Sequence, residues 1–109
     1  MISTFQGCSS LNSINIEKLN TSKVKNMTSM FQGCSSLTSI NLSNFITNEV
    51  TDMSYMFQEC SHLENINILN FNTSNLETIK YMFQDCSSLK SFDLSKFNIY
   101  FQHLKDALH

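Results

Sequence analysis

Phe5, Phe31, Phe57 and Phe83 stand 26 residues apart without drift, and each opens the same phrase. The copies read FQGCSSL (5–11), FQGCSSL (31–37), FQECSHL (57–63) and FQDCSSL (83–89). A period between about 20 and 50 residues marks a stacked repeat array, in which each unit buries its apolar face against its neighbours. The chain divides accordingly into repeats 5–30, 31–56, 57–82 and 83–107, with residues 1–4 closing a preceding unit. Such an array offers a surface more readily than an active site.

Counted from its Phe, each repeat carries apolar residues at fixed places. Leu11, Leu37, Leu63 and Leu89 are followed three residues on by Ile14, Ile40, Ile66 and Phe92. Ile16, Leu42, Ile68 and Leu94 come next, then Leu19, Phe45, Phe71 and Phe97. The alternation in the middle of this run predicts a short strand with one buried face, near 12–16, 38–42, 64–68 and 90–94, parallel and in register. The second half places Val24, Met27 and Met30 before Phe31, and Val50, Met53 and Met56 before Phe57. Apolar residues at i, i+3, i+6 and i+7 predict helices over about 22–31, 48–57, 74–83 and 100–108. Thr21-Ser22, Thr47-Asn48 and Thr73-Ser74 read as their N-caps. The methionines, fixed in place from copy to copy, read as core filling.

The fourth copy is one residue shorter, since Phe97 to Phe101 spans four positions where Phe45 to Val50 spans five. The deletion returns Phe101, Leu104, Ala107 and Leu108 to the apolar places. Residues 98–109 read either as a terminal cap over the open end of the core or as a truncated array. The polar Lys105, Asp106 and histidines favour the cap.

The combination of Met30-Phe31, Cys34-Ser35-Ser36-Leu37, Leu42-Ser43-Asn44-Phe45, Val50-Thr51-Asp52-Met53 and Met56-Phe57 resembles the BspA-type, leucine-rich-repeat-like surface proteins, a group that includes mycoplasma lipoprotein repeats. The resemblance covers about residues 1–97 and recurs in every copy. It implies an α/β, right-handed strand–helix solenoid, an extracellular or cell-surface location, and roles in adhesion and protein binding without a shared catalytic site. Glu59 and Asp85 replace the family-like Gly7 and Gly33, a change expected at a loop position. No secretion signal or lipid anchor is visible in the sequence.

Composition narrows the function classes. The 109 residues carry a net charge of −2, and all seven basic residues are lysine. With no basic excess and no Arg, the usual bidentate reader of phosphate and guanine, nucleic acid is not an expected partner. No apolar stretch is long enough to span a membrane.

No metal, cofactor or catalytic constellation is expected. Cys8, Cys34, Cys60 and Cys86 occur once per repeat rather than in close pairs, and read as a ladder of buried free thiols, with disulfides between adjacent copies as the alternative. His62 follows Cys60 by two residues, but the other copies have serine there, so no cysteine–histidine dyad is indicated. The four Asn-x-Ser/Thr triplets, at Asn20, Asn26, Asn41 and Asn72, are about what this Asn-, Ser- and Thr-rich composition gives by chance.

The outward face of the strands is the candidate interaction surface. Stacking puts Asn15, Asn41, Asn67 and Asp93 in one line, flanked by Ser39, Asn65 and Ser91, with Leu69 as the apolar anchor. Tyr55 and Tyr81 share one position in consecutive copies and mark a second candidate on the other side. The expected function is a non-enzymatic binding module for a protein or other macromolecule. A structural spacer, or an accessory segment of an enzyme whose chemistry lies elsewhere, are the alternatives.

Overall fold

The computed structural model describes residues 19–68, 70–90 and 107. Two short strands, β1 (Ser39–Asn41) and β2 (Asn65–Asn67), pair in parallel. Their register sets Ser39 against Asn65, Ile40 against Ile66 and Asn41 against Asn67, an offset of one repeat. Ile40 and Leu42 point into the core while Ser39 and Asn41 face out, as period-two alternation demands. The ladder continues at its margin: Glu64 N–H donates to Thr38 O at 2.9 Å and Lys90 N–H to Glu64 O at 3.5 Å. The strands expected at 12–16 and, beyond Lys90, at 90–94 lie outside the described residues.

The helices expected over 22–31, 48–57 and 74–83 are absent. These segments are chains of tight turns. The amides of Met30, Gln32 and Cys34 bond to carbonyls three residues back, at 3.2–3.3 Å. The alternate amides reach across to the next copy. Met27, Ser29, Phe31 and Gly33 donate to Asp52, Ser54, Met56 and Gln58 at 2.8–3.0 Å. Met53, Tyr55, Phe57 and Glu59 repeat this onto Thr78, Lys80, Met82 and Gln84 at 2.8–3.1 Å. Parallel bridges join Asn26 to Asp52 and Asp52 to Thr78. A second inter-repeat ladder thus stands where helices were expected.

Two local features explain the difference. Asn26 Oδ1 accepts from Thr28 N–H and Asp52 Oδ1 from Ser54 N–H, each at 2.8 Å. Thr78 Oγ1 accepts from Lys80 N–H at 3.3 Å. Such side-chain bonds compete with helical hydrogen bonding. Three residues later Ser29, Tyr55 and Tyr81 have φ of 60°, 61° and 58°, and a right-handed helix does not pass through that region. The next left-handed site holds Gly33 at 76°, Glu59 at 63° and Asp85 at 62°. Glycine occupies it without steric cost; the two acidic residues do not.

The expected N-caps have another role. Thr21, Thr47 and Thr73 are buried. Thr47 Oγ1 donates to Asn72 O at 3.1 Å and accepts from Asn72 N–H at 2.9 Å. Thr21 does the same to Ile46, at 3.0 and 2.8 Å. The Thr21 and Thr47 hydroxyls therefore brace the backbone of the following copy, at a corner with no helix to cap.

The core runs between the two ladders. Met27, Met30, Phe31, Leu37, Leu42, Met53, Met56, Phe57, Leu63, Ile79 and Met82 are fully buried. The Phe31 and Phe57 rings stack at 5.4 Å with planes 10° apart, and Phe57 stacks on Phe83 at 5.8 Å and 5°. Beside them Gln32 donates its amide to Gln58, and Gln58 to Gln84. Of the terminal segment only Ala107 is described. It is helical, fully buried, and its carbonyl accepts from Phe83 N–H at 2.9 Å. The remainder of the helix expected at 100–108, and of the cap expected at 98–109, lies outside the described residues.

Candidate functional site

Parallel pairing without a stagger brings the outward side chains of β1 and β2 together. Ser39, Asn41, Asn65 and Asn67 are all exposed. With Ile40 and Ile66 beneath them and Ser43 at the edge, they line a shallow depression of about 380 Å³. The face is uncharged, with hydroxyl and amide groups over an aliphatic floor. Asn41 is oriented by its own backbone, since its Oδ1 accepts from Ser43 N–H at 3.0 Å. This asparagine turn leaves the amide NH₂ directed elsewhere. Four of the eight residues expected on this face are therefore brought together. Asn15, Leu69, Ser91 and Asp93 lie outside the described residues.

The other side of the molecule carries Tyr55 and Tyr81, half-buried, with ring centroids 5.4 Å apart and planes tilted by 40°. The Lys80 ammonium lies 5.1 Å from the Tyr81 ring centroid, within the range of a cation–π contact. One exposed large apolar side chain, Ile46, stands among the described residues, at 45 % exposure.

Cys34, Cys60 and Cys86 are free thiols. Cys60 Sγ donates to Phe31 O at 3.2 Å and Cys86 Sγ to Phe57 O at 3.0 Å. Each thiol thus bonds the backbone of the preceding copy. Burial pushes Cys60 well above the ordinary thiol value, with Cys86 and Cys34 adding to the rise. Cys86 is pushed up to about 11, mainly by burial, with Asp85 contributing. Thiols held neutral in this way are poor nucleophiles. His62 is exposed and turns away from this chemistry: its Nδ1 lies 2.6 Å from Ser35 O and 3.3 Å from Ser61 Oγ. Among the described residues no three His, Cys, Asp or Glu side chains gather to hold a metal ion.

Sequence reasoning misassigned the first of three features, as helix caps, and passed over the other two. The Thr21–Thr47–Thr73 corner and the Gln32–Gln58–Gln84 ladder were both visible as polar residues that never vary across those copies. The Lys80–Tyr81 contact has no such signal, because the same position holds Thr28 and Ser54 in the preceding copies.

This geometry, parallel ladders offset by one repeat around a thin apolar core, is that of a leucine-rich-repeat type of protein. The chain belongs to the family described as "Mycoplasma protein of unknown function, DUF285", whose model matches residues 1–107. No curated protein matches it. Among solved structures it is similar to the leucine-rich repeat protein TpLRR of T. pallidum, at 26 % identity and a TM-score of 0.56. The match covers 82 % of this chain and 38 % of that one. The chain thus spans well under half the length of its structural relative. The resemblance drawn from the repeat phrase agrees with both matches.

Proposed function

We propose that this repeat array is a non-enzymatic protein-binding module of a cell-surface or adhesin-like protein, and that it docks its partner on the β1–β2 face. The observation that carries the reading is the depression over Ile40 and Ile66, rimmed by Ser39, Asn41, Asn65 and Asn67. Amides and hydroxyls in two aligned rows offer both donors and acceptors to a partner's backbone. Repeat arrays commonly bind along an extended sheet face. The family and the T. pallidum relative support a repeat module of the leucine-rich type; the surface location and the partner class are part of the proposal.

The test is a binding assay against a panel of immobilised extracellular-matrix proteins. Asn41→Lys with Asn67→Lys should abolish capture while lowering stability by no more than about 1 kcal/mol, the worth of the exposed Asn41–Ser43 bond. Phe57→Ala should abolish capture by unfolding, since it removes a ring stacked on both sides at a cost of roughly 3–5 kcal/mol. Capture that survives the double lysine change removes the β1–β2 face as the site. A native chain that captures nothing favours the spacer.

A further inference from the structure

We propose a second docking surface, on the turn-built ladder rather than on β1 and β2: the Tyr55–Tyr81 flank receives a lysine- or arginine-rich segment of a partner protein. The rings do not form a closed sandwich. Their planes are tilted by 40°. The same place in the preceding copy is Ser29, which is nearly buried and too short to cover a tyrosine. Tyr55 and Tyr81 have no other aromatic partner among the described residues. Tyr81 already takes a cation, the Lys80 ammonium at 5.1 Å. The geometry that admits Lys80 to one ring shows what an incoming ammonium or guanidinium would find at the other. Tyr55, two places after Met53 where Tyr81 follows Ile79, has Ser54 at the position of Lys80, so no lysine of its own copy competes for its ring.

Charge favours the same occupant. Glu59 and Asp85, four residues beyond each tyrosine, are exposed and stand one repeat apart. Neither forms an ion pair among the described residues, so both carboxylates are open to an incoming cation. Aromatic faces and carboxylates both select cations, and arginine most strongly, because its planar guanidinium stacks on a ring and bonds a carboxylate together.

The experiment titrates the full chain with ten-residue oligo-arginine and oligo-lysine peptides, with oligo-glutamate as control, at two ionic strengths. The native chain should bind oligo-arginine more tightly than oligo-lysine and leave oligo-glutamate unbound. Tyr55→Leu with Tyr81→Leu keeps the apolar bulk, removes the π-faces, and should weaken oligo-arginine binding about 5- to 10-fold. Glu59→Gln with Asp85→Asn should weaken it similarly and flatten its salt dependence. Lys80→Gln frees the Tyr81 ring and should tighten binding, an outcome that holds even if the leucine variant proves less stable. Absence of oligo-arginine binding overturns the proposal. So does loss in the carboxamide variant with full binding in the leucine variant, which would mean general attraction to an acidic surface. Asn41→Ala with Asn67→Ala should leave this binding unchanged, so the surface stands or falls apart from the β1–β2 face.

Discussion

The amide of Phe83 bonds to the carbonyl of Ala107, whereas the equivalent amide of Phe57 bonds to Met82. The partner is one residue nearer in the chain in the last copy, which is the length of the deletion between Phe97 and Phe101. The shortened repeat therefore still delivers a carbonyl to the stack, and it replaces a methionine with a small side chain that is fully buried. Ala107→Asp puts a charge where no water reaches and should cost on the order of 3 kcal/mol, read as a fall in the urea midpoint. A variant as stable as the native chain would mean that Ala107 does not close the core.

Thr47 joins two copies through one hydroxyl, giving to Asn72 O and taking from Asn72 N–H. Thr47→Val preserves shape and leaves both backbone groups without that partner. The expected cost is about 1–3 kcal/mol by denaturant unfolding. Thr47→Ser keeps the hydroxyl and should recover most of the loss. Equal loss in both variants would point to packing of the methyl group instead.

The thiol ladder should give the stability curve an alkaline limb. Cys60 and Cys86 have folded pKa values raised above those of the unfolded chain, chiefly by burial. The folded state then holds protons that the unfolded state has released, so the stabilisation is complete below the unfolded value and is lost as pH rises. These thiols should contribute no slope between pH 6 and 8, and a decline from about pH 9 through the Cys86 value of about 11. Cys60→Ala with Cys86→Ala should make that decline shallower. In the native chain at pH 7, Cys60 should resist a maleimide that labels it at once in denaturant.

Much of this architecture was legible in the repeat. The Leu–Ile–Leu run places β1 and β2 within one residue of either end of the expected strands, and the period sets their register. The buried Phe31, Phe57 and Phe83 follow from the same spacing. The helices did not follow, and the reason lies in a number. Val24, Met27 and Met30, like Phe31, Cys34, Leu37 and Ile40, recur every three residues. That is the period of successive three-residue turns, whereas an α-helix drifts by 0.6 of a residue per turn from it. Asn26 and Asp52 were further signs, being residues that bond their own backbone two positions on. The left-handed backbone at Tyr55 and Tyr81 has no sequence marker, because tyrosine rarely adopts it. On the site, stacking aligned Asn41 with Asn67, but the orienting bond from Ser43 depends on backbone geometry that the alternation of polar and apolar residues does not specify.

The turn-built ladder is tested most directly by NMR on isotopically labelled protein, through couplings across the hydrogen bonds of Met27, Phe31, Met53 and Phe57. The predicted result is a coupling from Phe57 N–H to Met82 C=O and from Phe31 N–H to Met56 C=O, with backbone contacts between residues 26 apart along both segments. Couplings from Met53 to Glu49 and from Phe57 to Met53, the pattern of a continuous helix over 48–57, would contradict it.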